Sequence, residues 1–188
     1  MNLHYETVSP LLKETLQKLV NSPIFKDFTL IGGTCLSLQL GHRRSIDIDL
    51  FTDIDYGTMN TKEMKEFIQR SFPYSENTDS LDTSALGYTL YMGDSPIDKI
   101  KVDFFYTEKF IFPIQEIDHI RIADIREIAA MKLSAITEEE PRQKDFWDIH
   151  ELNEKYSFKD MIDWGIKRNE WSVTCLLYTS DAADDLIG

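Results

Sequence analysis

A chain of 188 residues with 42% apolar and 28% charged side chains can build one domain with a substantial core, or a catalytic domain plus a small helical appendage, and its composition excludes disordered and collagen-like classes. A net charge of −13 excludes a broad basic surface that grips nucleic acid nonspecifically, so any polynucleotide contact has to be local. The N-terminal stretch MNLHYETVSPLLKETLQKLV lacks the basic start and unbroken apolar core of a signal peptide, and no apolar run approaches membrane-spanning length, which predicts a cytoplasmic protein with no membrane partner.

Taken in chain order, Leu3, Leu11, Leu12, Leu16, Leu19 and Val20 recur at helical spacing, so a first helix begins near Ser9-Pro10 and ends near Asn21-Ser22-Pro23. FTLI reads as a short strand running into Gly32-Gly33, TCLSLQLG as a short helix, and SIDIDLF as a strand whose Ile46, Ile48 and Leu50 face the core. Thr61 to Arg70 is a helix with Met64, Phe67 and Ile68 inward, and ALGYTLYM turns at GDSP into KIKVDFFY as an antiparallel hairpin. IRIAD ends a further extended piece, Asp124 and Glu127 form a capping box for the helix DIREIAAMKLSAIT, and two more helices start near Pro141 and Phe158. Early strands mixed with helices, followed by a helical run, predict an α+β fold, divided into an α+β core with its N-terminal helix over 1–123 and a helical part over 124–173. Residues 174–188, TCLLYTSDAADDLIG, show no clear amphipathic face and resemble a translated assembly scar, so they are expected to be a non-native tail. Cys35 and Cys175 match no metal spacing.

The chemistry concentrates in TLIGGTCLSLQLGHRRSIDIDLF. Residues two apart on a strand share a face, so Asp47 and Asp49 stand roughly 6.5 Å apart and repel each other unless a cation sits between them. Mg²⁺ suits such a pair, because it takes oxygen ligands and is commonly held by carboxylates together with substrate phosphates. In KIKVDFFY the same alternation puts Lys99, Lys101 and Asp103 on one face, and a third carboxylate from a neighbouring strand completes a site for two metal ions. Gly32-Gly33, at the end of a strand and the start of a helix, lets the backbone approach a triphosphate, with Thr34 and the helix N-terminal N–H groups offered to the anion. Each piece alone is weak: Gly-Gly is most often a turn, and Asp-x-Asp most often a solvated face. Lys132 reads as a snorkelling surface lysine and Arg142, Asp145 and Asp148 as a surface ion network on one helical face. His42, Arg43, Arg44 and Ser45 form a basic loop that either balances the aspartates or touches phosphate.

Together, the pieces resemble the nucleotidyltransferase superfamily of the DNA polymerase beta type, and IGGTCLSLQLGHRRSIDIDLF with KVDFF, EIAAMKLSAI and RQKDFWDI is most similar to the AbiEii family of toxin–antitoxin systems. The resemblance implies a polymerase beta-like mixed sheet flanked by helices with a C-terminal helical part. It implies that Gly32, Gly33, Asp47 and Asp49 form a first motif, Lys101 and Asp103 a second, Lys132 a third, and Arg142, Asp145 and Asp148 a fourth. By the same resemblance Arg44 and Ser45 contact substrate, Gly32, Gly33, Thr34, Lys101 and Arg142 bind the nucleotide, Asp47, Asp49 and Asp103 hold Mg²⁺, and Lys132, Asp145 and Asp148 join the catalytic set, with the Lys132 ammonium expected to contact the phosphates. The implied activity is Mg²⁺-dependent transfer of a nucleotidyl group from an NTP to an acceptor hydroxyl on RNA, with transfer RNA the first choice. The chain would then be a toxin countered by an antitoxin encoded nearby, which need not touch it. Two alternatives stand beside this: a small-molecule nucleotidyltransferase of the antibiotic-modifying kind, which the acidic surface favours, and a module that binds NTP without turnover.

Overall fold

The computed structural model describes residues 2–77, 86–137 and 142–169; residues 174–188, read from sequence as a tail, lie outside the described residues. The chain divides into two compact units, Met1–Ala123 and Asp124–Gly188. Among the described residues no helix is long and apolar enough to cross a membrane.

The first unit opens with α1 (Pro10–Val20), where proline occupies the first turn and the Ser9 hydroxyl accepts a hydrogen bond from the Leu12 N–H at 3.1 Å. Its inward stripe, Leu12, Leu16 and Leu19, is at most 1% exposed, and each such side chain contributes roughly 1.5–3 kcal/mol of burial. There follow β1 (Thr29–Ile31), α2 (Gly32–Leu40), β2 (Asp47–Thr52), α3 (Thr61–Ser71), β3 (Tyr74–Asn77), β4 (Gly87–Ser95), β5 (Asp98–Tyr106), β6 (Gln115–Ile117) and β7 (Ile120–Ile122). Among the described residues these strands make one sheet in the order β3-β4-β5-β2-β1-β7-β6. The sheet is mixed, since β2 runs parallel to β5 and β1 parallel to β7, while the pairs β1–β2, β4–β5, β3–β4 and β6–β7 are antiparallel. The α+β class expected from the sequence, a mixed sheet with helices followed by a helical part, is the one observed.

One sheet face carries Ile48, Leu50, Leu90, Met92, Val102 and Phe104, all buried, and α1 packs against its central strands. Phe104 stacks with Phe25 at 5.4 Å between ring centres and meets Phe28 edge-on at 5.5 Å. Phe67 is half-buried and touches Phe25 edge-on, whereas Met64 and Ile68 of α3 are fully inside. Ile46, expected in the core, is 72% exposed. The reason lies in the backbone: the Ser45 N–H bonds to the Thr7 carbonyl at 2.9 Å, so the chain joins the sheet only at Asp47. Two strands were not read from the sequence. YSEN of β3 has no apolar alternation, and β6 is three residues joined to β7 by Asp118-His119, both in the left-handed region at φ 52° and 64°. Two consecutive positive φ values define the tight turn that suits a right-twisted hairpin, here built without glycine.

The second unit contains α4 (Ile125–Thr137), α5 (Gln143–Asn153) and α6 (Phe158–Arg168), with α4 packed on both others. The Asp124 carboxylate accepts from the Arg126 N–H at 2.9 Å and grips the same guanidinium at 2.8 and 2.9 Å, which holds its carboxyl below the usual range. Glu127, expected to form a capping box with Asp124, is fully buried and ion-paired with Arg168 of α6. Tertiary packing thus takes over a carboxylate whose spacing alone suggested a local cap.

Candidate active site

Sheet register decides which side chains meet. β2 and β5 pair with Asp47 opposite Lys101 and Asp49 opposite Asp103, and β4 sets Thr89 opposite Asp103. Asp47, Asp49, Lys101, Asp103 and Thr89 therefore share the sheet face turned away from the core. Asp103 is held from both sides: the Lys101 ammonium lies 2.6 Å from Oδ2, and the Thr89 hydroxyl donates to Oδ1 at 2.6 Å. Burial by itself lowers the Lys101 pKa, but the hydrogen bond to Asp103 and the negative charges of Asp103, Asp49 and Asp47 outweigh it, and the net shift is upward. One ammonium thus reports the field of all three carboxylates.

The glycines have a sharper role than a general turn. Gly32 adopts φ +68°, and a Cβ built there would fall 2.1 Å from Asp49 Oδ2, so the missing side chain is the space in which the Asp49 carboxylate stands. A Cβ at Gly33 would meet only the far end of Arg43, at 2.5 Å from Nη2. Thr34 is 1% exposed, its hydroxyl bonds to the Asp47 carbonyl and lies 2.8 Å from the Ser45 hydroxyl, and Ser45 is itself 9% exposed. These two hydroxyls tie the start of α2 to the start of β2. Arg44 is exposed, its carbonyl accepting from Arg43 Nη1 at 3.1 Å.

Behind the carboxylates sits Cys35, fully buried, its sulfur accepting from Gln39 Nε2 at 3.2 Å. Burial pushes the thiol up to about 12, the Asp49 charge adds to the rise, and the hydrogen bonds with Ala123 and Gln39 oppose it. Thr89 was not among the residues singled out from the sequence, and Cys35 was weighed there only as a metal ligand. Thr89 could be found only from the β4–β5 register, and Cys35 carries no motif.

In the second unit the surface readings of Lys132, Asp145 and Asp148 are overturned, since all three are buried. The Lys132 ammonium lies 2.9 Å from Asp148 Oδ2 and also contacts Asp145 Oδ1, while Arg142 Nε reaches Asp145 Oδ2 at 3.0 Å from a side chain that is 62% exposed. Buried carboxylates need a cation and hydrogen bonds, and α4 supplies both through one lysine.

A model of the family described as nucleotidyl transferase AbiEii toxin, type IV toxin–antitoxin system, matches residues 14–169. The chain belongs to the AbiEii family. This AbiEii chain is 33% identical over 190 residues to an uncharacterized protein of Aquifex aeolicus (strain VF5), covering 93% of this chain and 84% of that one. Its fold is similar to that of a candidate nucleotidyltransferase from H. pylori, with a TM-score of 0.59, 19% identity and coverage of 86% of this chain and 72% of the other. It is also similar to MenT4, a nucleotidyltransferase toxin from Mycobacterium tuberculosis H37Rv, with a TM-score of 0.51, 14% identity and coverage of 82% and 62%.

Divalent metal is the usual companion of nucleotidyl transfer. The donors on the open face of β2 and β5 fit it by chemistry: three carboxylates, hard oxygen ligands of the kind Mg²⁺ selects. Among the described residues no three carboxylate, imidazole or thiolate groups are already gathered as a cage, and both Asp103 oxygens are engaged by Lys101 and Thr89.

Proposed function

We propose that this AbiEii chain transfers a nucleotidyl group from an NTP to an acceptor hydroxyl on RNA, with transfer RNA as the first acceptor to test, in the cytoplasm and under the control of an antitoxin encoded nearby. The observation that carries the reading is the register that puts Asp47, Asp49 and Asp103 on one face, with Gly32 hollowed to admit Asp49 at the N-terminal end of α2. In this reading Asp47, Asp49 and Asp103 hold Mg²⁺, which would neutralise the charge that develops on the phosphates.

The acceptor oxygen attacks the α-phosphorus, the bond to the bridging oxygen of pyrophosphate breaks, and pyrophosphate departs with its electron pair. Asp103 takes the hydroxyl proton at a carboxylate oxygen, oriented by Thr89 and Lys101. Gly33 and the N–H groups at the start of α2 face the phosphates, and Thr34 and Ser45 keep that helix start against β2. By the family resemblance Lys132, Arg142, Asp145 and Asp148 would also serve catalysis and nucleotide binding; within the helical unit Lys132, Asp145 and Asp148 form a buried ion cluster.

The test is transfer of label from each of four NTPs to total RNA, purified transfer RNA and a panel of small hydroxyl compounds, with pyrophosphate release followed in parallel. Labelled RNA that disappears in Asp49→Asn and Asp103→Asn supports the reading. Label confined to small hydroxyl compounds establishes the antibiotic-type alternative, and nucleotide binding with no pyrophosphate release from any acceptor establishes a non-catalytic module.

A further inference from the structure

The open sheet face does not stop at the carboxylates. Direct strand partners carry it outward in one row, from Asp47 on β2 to Lys101 on β5, Tyr91 on β4 and Glu76 on β3. Three strand spacings of ~4.8 Å make this a lane about 14 Å long. One step along the same face, Lys99 lies beside it, with its ammonium 4.7 Å from the Tyr91 ring centre and 5.5 Å from that of Tyr74. Glu76 gathers the group, since its carboxylate pairs with Lys99 and accepts from the Tyr74 hydroxyl. Lys99 and Lys101 keep 26% and 37% of their side chains open to solvent. On a chain of net charge −13, two ammoniums and two phenol rings share this lane, which ends at the carboxylates of the proposed active site.

We propose that this lane is the track for the last nucleotides of a single-stranded RNA acceptor: its terminal hydroxyl lies at Asp103, an adjoining phosphate at Lys99, and a base stacks on Tyr91 or Tyr74. The proposal rests on the RNA-acceptor reading above and adds where the acceptor lies. Aromatic faces and point cations are what a single strand needs, because every base has a π-face and every linkage a charge. Glu76 fixes rings and ammonium in advance, so binding orders little that is not already ordered. The lane also reconciles an acidic protein with an anionic acceptor, because the contact is confined to a few side chains.

The experiment uses the full chain in Mg²⁺ buffer and a 5′-labelled single-stranded oligoribonucleotide followed by fluorescence anisotropy. Tyr91→Leu, which keeps apolar bulk on the sheet, should weaken binding by at least about fivefold, the low end for loss of one base stack. Lys99→Gln should reduce the dependence of log K on log salt by about 0.7, the step for one phosphate contact on a single strand. Lys99→Arg should restore it, and Lys26→Gln, on an exposed residue outside the lane, should leave it unchanged. Stabilisation of the protein by NTP on heating should be the same in all four variants, which shows an intact fold. If the wild-type protein labels RNA while Tyr91→Leu and Lys99→Gln bind the oligonucleotide as it does, the lane is a sheet-edge staple and the proposal falls alone. If the wild-type protein labels only small hydroxyl compounds and binds no oligonucleotide, the RNA reading falls and the lane with it.

Discussion

Replacing Lys132 by methionine keeps the length and bulk of the side chain and removes only the ammonium. In the native protein that ammonium is 5% exposed and sits between Asp145 and Asp148, whose side chains are 1% and 0% exposed. Without it, two carboxylates remain inside the helical unit with their shared cation gone. Arg142 still reaches Asp145 from the rim, but its guanidinium is mostly solvated and contributes the modest energy of a surface pair. Breaking a buried pair by removing one partner costs about 3–5 kcal/mol. For a chain of this size that corresponds to a fall in melting temperature of roughly 6–20 °C, at ~2–4 °C per kcal/mol. Differential scanning calorimetry in chelator measures it without reference to activity. Adding Asp145→Asn and Asp148→Asn to the same chain should return part of the loss, because two buried like charges go with the cation. A Lys132→Met protein that melts within about 2 °C of wild type would refute the buried cluster, since that shift is what a surface ion pair of ~1 kcal/mol gives.

Asp49→Asn should melt at or above the wild-type temperature in chelator, because it removes one of three repelling charges, and it should gain little from Mg²⁺; the wild type should gain about 2.7 kcal/mol at a hundredfold excess of metal over its dissociation constant. Equal Mg²⁺ responses in thermal melts would remove Asp49 from the metal set. Gly32→Ala forces a Cβ to within 2.1 Å of Asp49 Oδ2 at φ +68°, so it should lower stability by about 1–2 kcal/mol and abolish transfer through displacement of Asp49; full activity would show that the carboxylate does not use that space. The Cys35 thiol, raised to about 12 from an ordinary 9, should resist thiol reagents in the folded protein and react on unfolding. A folded pKa above the unfolded one stabilises fully below the unfolded value, so this contribution should fade from about pH 9 upward as pH rises towards 12; Cys35→Ala should flatten that part of the stability–pH curve, and an unchanged curve would count against it.

Local chemistry was enough to place α1 between its serine-proline start and its asparagine end, to alternate β2 and β5, and to put Asp47, Asp49 and Asp103 on the polar faces of those strands, because capping and a period of two are properties of neighbouring residues. Family motifs carried Lys132, Asp145 and Asp148, but not their burial. Which strands lie side by side is a long-range matter. Only the parallel pairing of β2 with β5 puts Asp103 opposite Asp49, and only the β4 register delivers Thr89 to Asp103. The emptiness at Gly32 is likewise legible only once Asp49 is seen to fill it. Ile46 alternates as well as its neighbours, yet stands in solvent because a backbone bond from Ser45 to Thr7 delays the strand by one residue. By type and spacing Glu127 looks like a local cap and Lys132 like a surface lysine, and both became buried ion pairs because α6 and α5 bring Arg168 and two aspartates against α4. A sequence determines which side chains can face one way along an element; which charges then meet across elements, and so lose water together, is decided by packing.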